Sequence, residues 1–117
     1  MRITLANWTP LLFAVSEKRA ETVKVLLAAG ANANVRGRKT VQAVEQKGRH
    51  EEPVAKDMMM IATGWTPLME AAERESVQLV QLLLAAGADK NARTEEGITA
   101  GSIAQKTANS EIIQLLK

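Results

Sequence analysis

The sequence predicts an all-α protein built as a solenoid of helix–turn–helix repeats, because it contains a long duplication and recurring helix start and stop signals. Residues 7–36 and 64–93 align without gaps, and 14 of these 30 positions are identical. A weaker third copy begins 33 residues after the second, where Gly97-Ile98-Thr99 matches Gly64-Trp65-Thr66. Stacked repeats of this kind bury their apolar faces against their neighbours.

The first helix of each strong copy has a clear start. Thr9 and Thr66 precede Pro10 and Pro67. A threonine hydroxyl can cap a helix, and proline suits the first helical position because the amide hydrogen that it lacks has no partner there. Apolar residues then recur at helical spacing, which predicts one buried face per helix: Leu11, Ala14 and Val15 in the first copy, and Leu68, Ala71 and Ala72 in the second.

The second helix of each copy has an apolar stripe and a glycine stop. Gly30 and Gly87 follow the last turn, as expected of residues that adopt positive φ to end a helix. Asn32, Asn34, Asp89 and Asn91 follow them in polar loops and are interpreted as turn formers, because these loops supply too few oxygens for calcium. The stripe consists of Val23, Leu26 and Leu27, matched by Val80, Leu83 and Leu84.

The middle of the chain predicts a shortened second unit. The two strong copies start 57 residues apart, which is one 33-residue period plus 24. We expect two short helices, Lys39–Lys47 and Pro53–Ala62, separated by a break at Gly48-Arg49-His50. This unit is expected to lack a finger loop, because Met58–Thr63 runs almost directly into Gly64. Met58, Met59 and Met60 are expected to fill the core there.

The T-P-L start, the L-L-x-x-G-A-[DN]-x-N stop and the 33-residue period resemble the ankyrin repeat. The resemblance implies antiparallel helix pairs stacked side by side, with loops projecting as fingers. It predicts one domain, residues 1–117, of about three and a half to four units at 7–37, 38–63, 64–96 and 97–117. Leu12 and Met69 stand where the family usually has histidine, so apolar packing must replace histidine hydrogen bonds between repeats.

Composition limits the classes of function. The chain has 117 residues and no cysteine, which excludes disulfides, thiolate metal sites and cysteine nucleophiles. Its formal net charge of +2 is too small to drive strong non-specific binding to nucleic acid. Without a secretory-type start or an apolar run of about 20 residues, the expected location is the cytoplasm and no membrane contact is expected.

The sequence predicts no enzyme. The only histidine, His50, falls at an inter-helix turn, and nothing in its spacing suggests a nucleophile partner. Phosphate-binding glycine patterns and clusters of metal ligands are both missing, so no cofactor, metal or catalytic residue is predicted. Carboxylates such as Glu17, Glu21, Glu70, Glu73 and Glu75 are scattered and are interpreted as solvated charges.

The predicted function is protein–protein binding through finger loops and the concave helix face. For Trp8 and Trp65 two interpretations stay open, a partner anchor or packing against the residue's own finger. The alternative function is a nucleic-acid-associated regulator that uses the basic segment 36–49. By carry-over from the family, the predicted partner-binding residues are Trp8, Ser16, Glu17, Arg36, Arg38, Trp65, Glu73, Arg74, Arg93, Glu95, Ile98 and Lys106.

The two ends of the solenoid differ. The last unit has a polar first helix in which Ile103 is the main large apolar residue, as expected of a cap. The first unit carries Leu11, Leu12, Phe13 and Val15 without a preceding cap helix. We expect part of this surface to be covered by the N-terminal segment, by a second copy of the chain or by a partner.

Overall fold

The computed structural model describes residues 8–42 and 59–117, which form three helical hairpins and one two-stranded antiparallel sheet. Helices α1 and α2, α3 and α4, and α5 and α6 pair in sequence, and the first and second helices of the hairpins stack in two separate rows. In chain order the elements are α1 (Pro10–Ser16), α2 (Ala20–Ala28), β1 (Gly37–Gln42), β2 (Met59–Trp65), α3 (Pro67–Glu73), α4 (Val77–Ala85), α5 (Ala100–Thr107) and α6 (Ser110–Leu115).

The predicted starts of the first helices are confirmed. The Thr9 hydroxyl accepts a hydrogen bond from the backbone N–H of Leu12, at 3.3 Å. The Thr66 hydroxyl accepts one from Met69 N–H, at 3.2 Å. Each bond satisfies one of the amides that a helix leaves without an internal partner at its N-terminus.

Left-handed residues mark the turns of the repeat. Gly30 and Gly87, the predicted helix stops, have φ of +95° and +91°. Lys18, Glu75 and Ala108 occupy equivalent positions at the turns between paired helices, with φ of 58°, 58° and 61°. Residues with a Cβ adopt this region at a cost, so the three inter-helix turns are mildly strained.

The polar loops form the predicted turns. The side-chain oxygen of Asn32 accepts from Asn34 N–H at 2.9 Å, and that of Asp89 accepts from Asn91 N–H at 2.9 Å. These bonds are Asx turns, so the interpretation as turn formers is confirmed for Asn32 and Asp89. The Asn34 side chain also bonds Gly87 O at 3.1 Å and Asp89 N at 2.7 Å, which ties the two loops together.

The prediction of a helical second unit is wrong wherever the structure describes it. Residues 39–42 and 59–62, expected in helices, lie in β1 and β2, which pair from Gly37–Trp65 to Gln42–Met59. Residues 43–58 lie outside the described residues. The strands form because pairing between distant segments outweighs weak local helix preference.

The first two helical hairpins are direct neighbours. Helix α1 lies against α3, and α2 lies against α4, so the duplicated blocks stack on each other. Between them β1 and β2 pair as the base of a finger, so the expectation that this region lacks a finger is also wrong. Among the described residues there are three helical units, and no unit separates the first two.

The core runs through all three hairpins. Leu12 and Met69, for which the sequence predicts apolar packing between repeats, are fully buried at 0% exposure, in agreement with that prediction. Ile103 of the last unit is nearly buried. Other core residues are Leu11, Val15, Val23, Trp65, Leu68, Leu79, Val80, Leu83 and Ile112.

Candidate functional site

A buried ion network joins the finger to helix α3. Glu70 is completely buried, and its Oε1 accepts hydrogen bonds from Trp65 Nε1 at 2.8 Å and from Lys39 Nζ at 2.6 Å. Its Oε2 accepts from Arg74 Nε at 3.0 Å. Lys39 also pairs with Glu73. The carboxylate of Glu70 is therefore held by groups from β1, from β2 and from the C-terminal end of α3.

This network determines the protonation of Glu70. Burial alone would raise the pKa of its carboxyl group, but the Lys39 ammonium, the hydrogen bonds from Lys39 and Trp65, and the Arg74 guanidinium outweigh burial and lower the pKa below its usual value. Glu70 is thus ionised at neutral pH. The prediction that Glu70 is a solvated charge is wrong, because the segment that supplies Lys39 forms a strand and not the expected helix.

Trp65 belongs to the core. Its side chain is only 2% exposed, and Lys39 Nζ lies 5.0 Å from the centre of its ring, within cation–π range. In this structure Trp65 is therefore inaccessible to a partner. The packing interpretation holds for Trp65, and its place among the predicted partner-binding residues is corrected.

Trp8 is packed differently. Its Nε1 donates to the backbone carbonyl of Arg38 at 2.7 Å, and its ring meets Phe13 edge to face, with centroids 5.1 Å apart. Trp8 is half-buried and Phe13 is 44% exposed. These two side chains, named here the aromatic pair, form a partly exposed apolar surface beside Arg38 of β1. Phe13 was not among the predicted site residues, although it is the only phenylalanine and stands opposite a glutamate in the duplicated block.

Three exposed arginines lie on the finger side. Arg36, Arg38 and Arg93 are named here the arginine cluster. The Arg36 guanidinium crosses Gly64, where a Cβ would lie 2.8 Å from Nη2, and donates to the backbone carbonyl of Arg93. Glycine at position 64 thus makes room for the side chain that connects the two fingers. Within the described ranges, no carboxylate oxygen lies within 4 Å of a nitrogen of these three side chains.

The extended segments of the fingers lie side by side. Arg38 of β1 is opposite Thr63 of β2. On its other side, Thr63 accepts from Glu95 N–H at 2.9 Å and donates its own N–H to Glu96 Oε1 at 3.1 Å. The surface therefore runs from the aromatic pair at Trp8, across the arginines, to two glutamates.

The other predicted site residues lie on or beside helices α1 and α5. The Ser16 hydroxyl on α1 accepts from Arg74 Nη2 at 3.1 Å, which connects α1 to α3. Glu17 pairs with Arg19 at 2.7 Å in an exposed bridge. Ile98 is half-buried against the core, and Lys106 is exposed in the last turn of α5.

Four residues that the sequence singles out, His50, Lys47, Arg49 and Met58, lie outside the described residues. Within residues 8–42 and 59–117, no group of three His, Cys, Asp or Glu side chains is arranged to hold a metal ion. In the same ranges, none of the helices combines the length and apolar character needed to cross a membrane.

Comparison with known proteins identifies the repeats. The family model described as Ankyrin repeat matches residues 6–38 and 63–95. The chain is also similar to the DExH-box ATP-dependent RNA helicase DExH2 of Arabidopsis thaliana, with 38% identity over 77 residues, or 66% of this chain. The matched part spans only 5% of the length of that helicase.

Proposed function

Because the chain belongs to the ankyrin repeat family, whose members are generally protein–protein interaction modules, we propose that it binds another protein through its fingers and the exposed side of its inner helices. The observation that supports this surface is the juxtaposition of the aromatic pair with the arginine cluster. Tryptophan and arginine are enriched among the residues that contribute most to interface affinity, and phenylalanine is enriched in interface cores.

The scaffold also suits binding by a preorganised surface. In the described part of the chain, every buried side-chain nitrogen and oxygen has a hydrogen-bond partner. Arg36 is held by the Arg93 carbonyl, and Trp8 by the Arg38 carbonyl. Side chains already fixed in the free protein lose less entropy on binding, so such a surface supports specific recognition.

We propose no catalytic activity. Glu70, the carboxylate with the most perturbed environment, is fully buried and bonded to Lys39, Trp65 and Arg74. A general base must reach a substrate proton, and Glu70 has no exposed atom with which to do so. We also propose that residues 1–117 act as one domain in the cytoplasm.

The second candidate function is regulation in association with nucleic acid. It is favoured by the basic residues of segment 36–49 and by the similarity to a protein named as an RNA helicase. The similarity covers a small fraction of that protein, so it supports a shared repeat segment more than a shared activity. Binding to a phosphate backbone would fall steeply with salt.

Affinity capture with matched variants tests the proposed function. The wild-type chain, a Phe13→Ala/Arg38→Glu variant and a Val25→Ala/Lys24→Glu control are immobilised and exposed to lysate with and without nuclease treatment. Val25 is 65% exposed on α2, the second helix of the same hairpin, so the control alters exposed residues away from the fingers. We expect the same proteins on wild type and control, and their loss from the first variant. Capture of nothing, or capture that nuclease abolishes, would overturn the proposal.

A further inference from the structure

The arginine cluster offers donors that the described residues do not use. The Arg36 guanidinium uses Nη2 to bond the Arg93 carbonyl, whereas no carboxylate of the described residues meets Arg36, Arg38 or Arg93 within 4 Å. Lys39 and Arg74, by contrast, are satisfied by Glu70 and Glu73. Guanidinium groups bind carboxylates through two parallel hydrogen bonds, so the cluster is complementary to acidic side chains.

The aromatic pair lies next to this cluster, against the backbone of β1 at Arg38. Trp8 Nε1 bonds the carbonyl of Arg38, one residue of the cluster, and Phe13 packs on Trp8. Neighbouring strands are about 4.8 Å apart, so from the aromatic pair to the far side of β2 is roughly 10–15 Å. An extended peptide covers that distance in about three or four residues at 3.3–3.6 Å each.

The two glutamates beyond β2 discriminate between acidic ligands. Glu95 and Glu96 follow closely after Arg93 and flank Thr63. A nucleic-acid strand carries a phosphate on every nucleotide, so a strand lying across the arginines would place further phosphates within the screening length of about 8 Å from these carboxylates. A peptide can present its acidic residues to the arginines alone. The charge order on the fingers therefore favours a peptide over a polyanion.

We propose that the partner is a protein segment with a bulky apolar residue and, two to four residues away, one or two acidic residues. The apolar side chain contacts Trp8 and Phe13, and the acidic groups pair with Arg38 and its neighbours in the cluster. This inference rests on the proposed protein-binding function and specifies the chemistry of the partner.

Selection from a random 12-residue peptide library displayed on phage, with the full chain as bait, tests the inference. We expect enriched sequences to carry Asp or Glu two to four residues from Phe, Trp or Leu. The strongest peptide is then synthesised with a fluorophore, and its Kd is measured by fluorescence anisotropy. Arg38→Glu should weaken its binding by about tenfold or more, and Phe13→Ala by roughly fivefold.

The controls separate a lost contact from a lost fold. Lys24→Glu and Val25→Ala change an exposed charge and an exposed apolar residue on α2 and should leave Kd within about twofold, as expected for residues outside an interface. Thermal melting of each variant monitors folding. A peptide in which the acidic residue is replaced by lysine should recover affinity for Arg38→Glu, which a merely unfolded variant could not do.

Several outcomes would overturn the inference. Selected peptides without an acidic preference, or insensitive to Arg38→Glu, would leave protein binding intact but remove the acidic partner. An unlabelled 12-nucleotide oligouridine that competes more strongly than the peptide would favour nucleic acid. Dimerisation of the chain that blocks the peptide would favour a second copy. Failure of both library selection and lysate capture would remove the proposed function as well.

Discussion

The two duplicated blocks use the same residue pattern for opposite purposes. Both read Trp-Thr-Pro-Leu at the start of the first helix, but Phe13 in one block stands where Glu70 stands in the other. In the first block the indole packs on Phe13, which remains 44% exposed. In the second block the indole donates to Glu70, and both side chains are buried.

The difference arises from the finger between the blocks. Strand β1 supplies Lys39, whose ammonium lies over the Trp65 ring and pairs with Glu70. The side chains of Trp65 and Glu70 in the second block are therefore buried within the chain itself. The same strand offers only a backbone carbonyl, that of Arg38, to Trp8. The same Trp-Thr-Pro-Leu start thus gives a structural anchor in one repeat and a partly exposed aromatic pair in the other. A repeat's contribution to binding depends on what its neighbour places against it.

The largest predicted difference between the blocks is in the free energy of unfolding lost when Glu70 or its counterpart Phe13 is replaced by alanine. Glu70→Ala should lower the free energy of unfolding by about 3–5 kcal/mol, because it leaves Lys39 nearly buried without its main partner. Phe13→Ala removes a half-exposed ring and should cost no more than about 1.5 kcal/mol. Urea unfolding followed by circular dichroism measures both. Equal costs would contradict the assignment of Glu70 to a structural network.

The next largest effect is expected at matched leucines of the outer helices. Leu83 is fully buried in the middle hairpin, whereas its counterpart Leu26 is half-buried in the first hairpin of the stack. Leu83→Ala should cost about 3 kcal/mol and Leu26→Ala about 1–2 kcal/mol, in proportion to burial. The same unfolding measurement applies. A larger cost at Leu26 would indicate that another surface covers the first unit.

Acidification should destabilise the protein less than the Glu70→Ala substitution does, because a protonated Glu70 keeps its shape and part of its hydrogen bonding. The pKa of Glu70 is lowered in the folded state, so its stabilising contribution is fully present above the unfolded value of about 4.5 and is lost as pH falls below it. In Glu70→Gln the side chain at position 70 is not ionisable, so its contribution to stability does not change with pH. Stability measured from pH 7 to pH 3 should therefore fall more for wild type than for Glu70→Gln, and parallel curves would refute the linkage.

The smallest predicted effect is a gain at the strained turns. Lys18 and Glu75 have φ of 58°, where glycine is favoured over residues with a Cβ. Replacing either by glycine should raise the free energy of unfolding by about 0.5–1 kcal/mol, equally in the two blocks. Gly87→Ala, at φ +91°, is the opposite control and should destabilise. A loss on glycine substitution would mean that the native side chains make contacts that outweigh the strain.

The parts of the fold set by local chemistry could be predicted from sequence. Threonine caps, Pro10 and Pro67, and the glycine stops depend on neighbours a few residues away. The finger could not, because β1 and β2 are short and their pairing joins Arg38 to Thr63, 25 residues further along the chain. The pairing of Lys39 with Glu70, 31 residues away, depends on strand β1. This pairing and the buried position of Trp65 could therefore not be predicted either.

Direct stacking of the two blocks is the claim on which these comparisons depend. The chain has no cysteine, so spin labels can be placed through Ala28→Cys and Ala85→Cys at the equivalent exposed C-terminal residues of α2 and α4. Adjacent packed helices are about 8–10 Å apart, so strong dipolar broadening is expected in the continuous-wave spectrum. A spectrum without that broadening, corresponding to a separation of about 20 Å or more, would place another helical unit between the blocks and contradict the account.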